Sequence, residues 1–493
     1  MVTTYEVPLS YTINVSLSAT PQGIADFNTN SIAIFSNETA AFSDAYKAYL
    51  TPNEVATDFG SNSLTYKMAK ALFTPAPNFR TGGGYLYIFP FGGTDATPAS
   101  FTTGTISTAN ITAFQSVVDG ALDITIDGNN HEIENLNFSN IQNVADIVTI
   151  LQKLNLDVNI AASGNTIVFT SRKAGEASGV TINTISGGSG TDISGASYLN
   201  VTAGSGDDGV NAGGEVLSDA VTAALNAVYF GDVLTTQVLD ATSRVQDATA
   251  IQSLDCVFFD NIQSLVEIAE VGAAIKSAGC SKTRTLAYSV SQELGKIAVA
   301  TYASIASSVN YNGSNTMNTM NLKTLTGITG DSGLNDTYVL SAKTNGVDIY
   351  ANTGGLSVVY SNDNNGYTDD IKGQLWLKKA LEVAGFNYLR QVNTKIPQTE
   401  EAMTGLRNAY AQIAEKGITN GFIGAAPWNG SYPFGDSEDF AANIAEKGYY
   451  IYSLPIALQS QTEREARKAP VVQLAVKCAG AIHFSDVIVN IQR

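Results

Sequence analysis

The residues of this chain that could do chemistry are few, and their spacing argues against most of it. Two histidines are present, His131 and His483. A Ser-His-Asp relay needs an imidazole within hydrogen-bond reach of a nucleophile. Asp486 stands three residues from His483, but along one strand the two would point to opposite faces. The reading is a packed or interfacial histidine. Three cysteines, Cys256, Cys280 and Cys478, are scattered. They are not spaced as zinc ligands and cannot close a disulfide framework, so they read as buried thiols made in a reducing compartment. "GSGDDG" at 204–209 fits the Gly-x-Gly-x-x-Gly pattern behind the strand-like "YLNVTA". Asp207 and Asp208 would repel a pyrophosphate, however, and the next helix starts only after Gly214, so a flexible loop is expected. "DNNGYTDD" at 363–370 resembles half a calcium loop, but Gln374 stands twelfth from Asp363, where the closing Glu belongs. A turn is expected there. Trp376 and Trp428 read as core. Together these readings leave no catalytic, cofactor-binding or metal-binding residues, and no enzyme is expected.

The rest of the composition points the same way. The chain has 493 residues, 44% apolar and 9% aromatic, with 45 acidic against 27 basic side chains and a net charge of −18. That size implies several cores. The charge argues against contact with nucleic acid or an anionic bilayer, both of which need clustered Lys and Arg. "MVTTYEVPLS" has neither a basic nor an apolar leader region. No run of 18 apolar residues is present, so no membrane insertion is expected.

The elements that would have to position a site alternate between helix and strand. "SIAIFS" and "GYLYIF" read as strands. "TPNEVATDFG" carries a helix start at Pro52, with Glu54 in its first turn, and "SLTYKMAKALFT" continues helically until Pro75 and Pro77. From Gly92 to Gly231 the character changes to short Thr-, Ser-, Asn- and Gly-rich strands such as "LDITID" and "NTIVFTS", with one amphipathic helix at 144–154. Beyond Leu234 the alternation resumes: "DCVFFD", a helix near 262–277, "TRTLAYSV", a helix near 293–308, then helices over 369–390 and 399–416. "GYYIYSLP", "VVQLAVK" and "AIHFSDVIVNI" close the chain as strands, the last two expected to pair.

Both ends look adhesive. Tyr5, Val7, Leu9, Tyr11, Ile13 and Val15 alternate with mostly polar residues, and Pro8 restricts that stretch to an edge or an extended arm. Phe484, Val487, Val489 and Ile491 lie on the final strand-like stretch. A strand left unpaired invites pairing with another chain. Extended arms that add to a neighbour's sheet, with no chemistry elsewhere, suggest an assembly subunit.

Longer blocks resemble one family, the contractile tail sheath proteins of myovirus-type bacteriophages. The C-terminal block carries Gly448–Tyr450, Arg464, Arg467–Pro470, Lys477, Ala479–His483 and Arg493 in the family's order, with Cys478 where a small apolar residue is usual. "IKGQLWLKKALE", "TKIPQTEEAM", "NGFIGAAPWNG" and "MNTMNLKTLTGITG" resemble its upstream blocks. "EVATDFGSNSLTYKMAKALFTPAPNFRTGGGYLYI" resembles its N-terminal block, with Leu72 replacing an aromatic. "VVDGALDITIDGNNHEIENLNFS" and "NTIVFTSRKAG" resemble its inserted domain.

The resemblance implies a structural protein that stacks as hexameric rings, or a six-start helix, around a tail tube. Contraction on a baseplate signal would drive the tube through the host envelope for genome delivery, with no cofactor. The implied partners are further copies of itself, the tail tube protein, and baseplate and tail terminator proteins, in a virion tail assembled in the host cytoplasm. The implied fold is α/β and α+β multidomain: a discontinuous α/β sheath core with extended N- and C-terminal β arms and an inserted Thr/Gly-rich α+β domain. The expected divisions are an N-terminal arm (1–20), the first part of the core (21–91), the inserted surface-exposed domain (92–231), an α/β middle domain (232–370), the C-terminal sheath core (371–478) and a C-terminal arm (479–493). Over 461–493 basic residues outnumber acidic ones, so Arg464, Arg467 and Lys468 are candidates to face an acidic tube wall; a solvated charged helix is the other reading. A sheath from a related bacteriocin or secretion machine, or an extracellular adhesin or surface-layer protein, is the alternative.

Overall fold

The computed structural model describes residues 24–185, 189–392 and 394–485. The stretch holding Tyr5, Val7, Leu9, Tyr11, Ile13 and Val15, and that holding Asp486, Val487, Val489 and Ile491, lie outside the described residues. The chain divides into two compact units: residues 28–376 with 417–424 and 478–493, and residues 1–27 with 377–416 and 425–477.

The larger unit is built on an eight-stranded sheet in the order Leu356–Tyr360, Asp348–Thr353, Thr283–Ala287, Val257–Ile262, Asp232–Thr235, Ile32–Ser36, Leu86–Pro90, Lys47–Tyr49. Its six inner strands are parallel and its two outermost antiparallel. Parallel strands covered on both faces are apolar throughout rather than alternating, and Ile32–Ser36 and Val257–Ile262 are buried at every position. Period two still sorts the side chains between two cores. Ile32, Ile34, Leu86, Ile88 and Phe259 join Met68, Leu72, Val299 and Ala303 on one face. Ala33, Phe35, Phe89, Val233 and Phe258 meet Leu217, Val221 and Ile251 on the other. There Phe35 stacks on Phe89 at 5.0 Å with Phe230 edge-on at 6.1 Å, contacts worth about 0.5–1.5 kcal/mol each beyond their buried area.

Helix starts follow local rules. Pro52 opens Pro52–Phe59 at its first turn. The Ser63 hydroxyl accepts from Tyr66 N–H ahead of Leu64–Phe73, and that of Ser291 from Leu294 N–H ahead of Gln292–Ala306. The helix expected from residue 262 begins instead at Leu265, because Val257–Ile262 completes a strand first.

Residues between Gly93 and Gly214 form a body with its own core. One sheet centres on Gly120–Ile126 and the other on Thr166–Ser171. Asp127 and Gly128, at φ 49° and 83°, make the tight turn into Asn129–Leu136, both central residues being left-handed as such hairpins require. The helix Val144–Gln152 lays Val144, Ile147, Val148 and Leu151 on Ile124, Phe138, Ile160 and Phe169. The chain enters and leaves through a paired ribbon, Gly93–Thr94 against Gly213–Gly214. Gly214 has φ 76°, and a Cβ there would lie 2.3 Å from Gly92 O. Two partly buried contacts help fasten this body to the sheet unit. Asp157 accepts from Tyr338 Oη at 2.6 Å and Leu265 N–H at 2.8 Å. Lys173 Nζ meets Glu270 at 2.7 Å.

Charges inside the sheet unit are paired. Asp260 lies on a central strand and accepts from Arg244 Nε at 2.6 Å and Lys296 Nζ at 2.8 Å, while Arg244 also reaches Glu267 at 3.0 Å. Burial pushes the Asp260 carboxyl up, but Lys296 and Arg244 outweigh it and hold the group below its ordinary value. Lys372, at the start of Thr368–Arg390, donates to Asp232 at 2.6 Å and to Thr29 O at 2.8 Å.

The smaller unit packs the 377–390 and 400–416 parts of two long helices, Thr368–Arg390 and Glu400–Asn420, with Ser437–Lys447 and a β-hairpin of Tyr449–Ser453 and Val472–Val476. The expected pairing of "VVQLAVK" with the closing stretch does not occur among the described residues. Val472–Val476 pairs there with Tyr449–Ser453, and residues 479–485, Phe484 included, carry no strand; the rest of the closing stretch lies outside the described residues.

Removing one carboxylate from beneath two buried cations tests the ion network. Asp260→Ala should cost about 3–5 kcal/mol, read as a fall in the urea midpoint. An unchanged midpoint would show that Arg244 and Lys296 do not depend on it.

Candidate functional site

The chemistry-bearing residues are dispersed. His131 lies on Asn129–Leu136 opposite Ile124. His483 sets Nε2 at 2.9 Å from Thr319 Oγ1 and its ring edge-on to Tyr367 at 4.4 Å, which is packing. Cys256 and Cys280 are buried, Cys478 is half-buried, and none of the three forms a disulfide among the described residues. Burial pushes the Cys256 thiol up to about 12, so it behaves as a small apolar group.

"GSGDDG" is not a loop: Ser205–Asp207 forms a short strand on Ser100–Thr102. Gly209 packs so closely that a Cβ would lie 2.2 Å from Gly175 O. In "DNNGYTDD" the Asp363 carboxylate caps Gly366 N–H at 2.7 Å. The carbonyls of Asn362 and Gly366 beside it accept from the Arg284 guanidinium at 3.2 and 2.9 Å. Trp376 is buried and stacks on Tyr311 at 5.0 Å; Trp428 packs on Phe440 at 5.3 Å. Among the described residues no group of three His, Cys, Asp or Glu could hold a metal ion, and no helix is long and apolar enough to cross a membrane.

A different site emerges in the smaller unit. The hairpin is covered on both faces. Tyr450 and Tyr452 lie on one face, stacked on Phe434 at 5.9 and 6.4 Å, and Tyr450 also meets Phe440 of Ser437–Lys447. On the other face Tyr449 Oη donates to Glu415 at 2.8 Å, Arg407 donates to Ser453 Oγ at 2.7 Å, and Val472 packs against Met403 and Leu406. Burial and the Glu415 carboxylate push the Tyr449 hydroxyl up to about 12. Each strand pairs only with the other among the described residues, so the two outer edges keep main-chain groups for a further strand.

Between the strands lies the short helix Gln461–Glu465, capped by the Ser460 hydroxyl on Glu463 N–H. Arg467 closes it at φ 55°, with Lys468 N–H donating to Glu463 O at 3.0 Å. Gln398 Nε2 holds the carbonyls of Arg464 and Lys468 at 3.2 Å each, and Gln459 Nε2 also holds Lys468 O, at 2.8 Å. Arg467 and Lys468 are exposed and Arg464 half-exposed, and none of the three makes an ion pair among the described residues. Downstream, Gly480 turns the chain at φ 64°, and Ile482 and Phe484 are 92% and 66% exposed.

A covered hairpin with open edges, a pinned basic loop and an inserted domain on a double ribbon describe an assembly subunit. Over residues 368–491 the chain matches the family described as E217 tail sheath protein gp31-like, C-terminal domain, and over residues 96–210 the one described as E217 tail sheath protein gp31, insert domain. Both models describe domains of a tail sheath protein, and together they support reading the chain as a contractile tail sheath protein. No curated protein matches it. Among solved structures it is similar, at 9% identity and a TM-score of 0.47 over 99% of both chains, to a chain of the cryo-EM structure of the anti-feeding prophage (AFP) baseplate in contracted state.

One perturbed carboxyl escaped the sequence reading because its surroundings are tertiary. Asp247 lies at the root of the insert, beside a cavity of about 60 Å³ lined by Gly213, Gly214 and Gln237. Burial pushes its carboxyl up to about 6, against the hydrogen bond from Ser218 N–H at 3.0 Å. A raised carboxyl favours its neutral form. Its stabilising contribution is complete below the ordinary value of 3.8 and is lost as pH rises through about 6. Asn cannot ionise. Asp247→Asn should therefore gain on the native chain between about pH 4 and pH 6 and lead by roughly 2–3 kcal/mol above that. Thermal melts across this range check it, and a gap independent of pH would reject it.

Proposed function

We propose that this chain is the structural, non-enzymatic subunit of a phage tail sheath that polymerises around the tail tube and contracts to drive the tube through the host envelope during genome delivery. Its partners in this reading are further copies of itself in stacked hexameric rings, the tail tube protein, and baseplate and tail terminator proteins. Its place is the virion tail, assembled in the host cytoplasm.

The observation that carries the reading is the hairpin Tyr449–Ser453/Val472–Val476, covered on both faces and open at both edges. Two strands alone are marginal, and a sheet of three or more is the stable unit. Strands supplied by neighbouring copies, one from the period-two stretch Tyr5–Val15 and one from the stretch beyond Phe484, would complete it. About five main-chain bonds at a net ~1 kcal/mol each, plus side-chain burial, would make each added strand a firm joint. Such a joint is local to the arm. The domain bodies can then rotate between two packings that differ by a few kcal/mol per subunit without breaking it. Arg464, Arg467 and Lys468 suit contact with an acidic tube wall, because exposed pairs worth about 0–1 kcal/mol each can be shed on contraction.

Deleting residues 486–493 should leave a folded body that no longer polymerises, seen by negative-stain microscopy as the loss of striated tubes. Tubes formed by the truncated chain would remove the terminal strand from the joint. Reversing Arg464 and Arg467 to Glu should weaken co-assembly with tail tubes; unchanged co-assembly would reject the tube-facing role.

A further inference from the structure

Within the smaller unit, the helical segments 377–390 and 400–416 lie close together. Gly385 and Gly405 make room for Tyr410 and Tyr388, whose hydroxyl oxygens lie 2.5 and 2.4 Å from where a Cβ would stand. Beside this contact runs a groove of about 510 Å³ lined by Asn387 from one segment, Gln391 just beyond its end, and Asn408 and Gln412 from the other. Asn408 and Gln412 are spaced i,i+4 and share one helix face. Gln391, Asn408 and Gln412 are exposed, and their side chains make no hydrogen bond among the described residues. Asn387 is engaged: its Oδ1 accepts from Ile24 N–H at 2.8 Å and its Nδ2 donates to Ile24 O at 3.0 Å.

That contact shows what the groove can bind. A carboxamide offers a donor and an acceptor together, so it satisfies both main-chain groups of an extended residue whatever the side chain. The course of the chain is also set. Ile24 sits at Asn387, and the Phe27 ring lies 5.4 Å from Lys379 Nζ, so the segment runs opposite to the helix. An extended chain continued back from Ile24 on that line would reach Gln391, about 6 Å farther on, after about two residues. The preceding residues 18–23, "SATPQG", are small or uncharged and suit an amide-lined groove.

We propose that this groove seats the main chain just before Ile24, with Gln391 and Gln412 repeating at residues 20–23 what Asn387 does at Ile24, and that it thereby aims the N-terminal arm. The occupant is this chain's own segment. The groove would serve the arm of the proposed sheath joint, but its occupancy does not depend on assembly.

The test is amide hydrogen exchange on the full-length, unassembled protein, read from peptides covering residues 18–27. The amides of Thr20, Gln22 and Gly23 should exchange at least about tenfold slower than in the free peptide. Gln391→Ala with Gln412→Ala should abolish that protection without lowering Tm, since both side chains are exposed and Gln412 stands on an exposed helix position that Ala favours. Asn387→Ala should in addition release Ile24. Free-peptide rates in the native chain, or protection that survives the double variant, would overturn the proposal. Protection that grows with protein concentration would overturn it too, by assigning the groove to a second copy. None of these outcomes bears on whether the chain forms sheath, which the deletion of residues 486–493 decides separately.

Discussion

A strand can bury its two faces against its own chain, but its edges can be satisfied only by another strand, by a side chain or by water. Everything distinctive about the smaller unit follows from that constraint. Helix residues Phe440 and Ile444 fill one face of the Tyr449–Ser453/Val472–Val476 hairpin, and Met403 and Leu406 fill the other. Tyr450 sits opposite Ala475, a large residue beside a small one, so the aromatic ring reaches Phe434 and Phe440 without crowding. With both faces packed, the ribbon's apolar side chains are at least partly covered. What remains is the directional pattern of N–H and C=O groups, which accepts an extended chain in register and little else.

A joint of that kind is useful only if the bodies it links keep their shape. The larger unit meets this need with charge as well as packing. Asp260 couples Arg244 of Ala241–Ile251 to Lys296 of Gln292–Ala306, so helices from separate crossovers are tied to one strand. Burying ions costs desolvation energy that apolar residues would avoid, and such networks contribute more to a single arrangement than to stability. Lys372 on Asp232 fixes the first turns of Thr368–Arg390 in the same way. The insert stands apart in its core but is held at several points, among them the glycine ribbon, Asp157 and Lys173. A domain on a paired ribbon alone would swing; the added contacts of Tyr338 and Glu270 restrain it.

Period two, period 3.6 and punctuation were enough to read much of this from the sequence. "SIAIFS", "GYLYIF" and "TRTLAYSV" are strands of one sheet, and Pro52 starts a helix where its ring permits. What stayed hidden depends on partners far along the chain. Ser205–Asp207 looked like a loop because Gly and Asp disfavour strands; it is a strand because Ser100–Thr102 lies beside it. The half-formed calcium loop was discounted on the missing Glu, and nothing local announces that Arg284, some eighty positions earlier, donates to carbonyls around it. "VVQLAVK" was recognisable as a strand, whereas its partner was not. Pairing is chosen by packing against Phe440 and Met403, and neither contact leaves a mark in the strand itself. The same holds for the groove amides, since Asn387 and Gln391 read only as polar positions.

The basic loop carries the clearest sign of a side chain kept for something other than the fold. Arg467 holds a left-handed φ of 55° at the end of Gln461–Glu465, where the Lys468 N–H closes back on Glu463 O. That position favours glycine, and a side chain there costs roughly 1 kcal/mol. The surrounding backbone is already held by Gln398 and Gln459, whose side-chain amides hold the carbonyls of Arg464 and Lys468. Fixed from behind and strained at its tip, the loop would be easier to fold with glycine, yet it presents a guanidinium and an ammonium side by side with no acidic partner among the described residues. In the tube contact proposed above, an outward cation would account for that conformational cost.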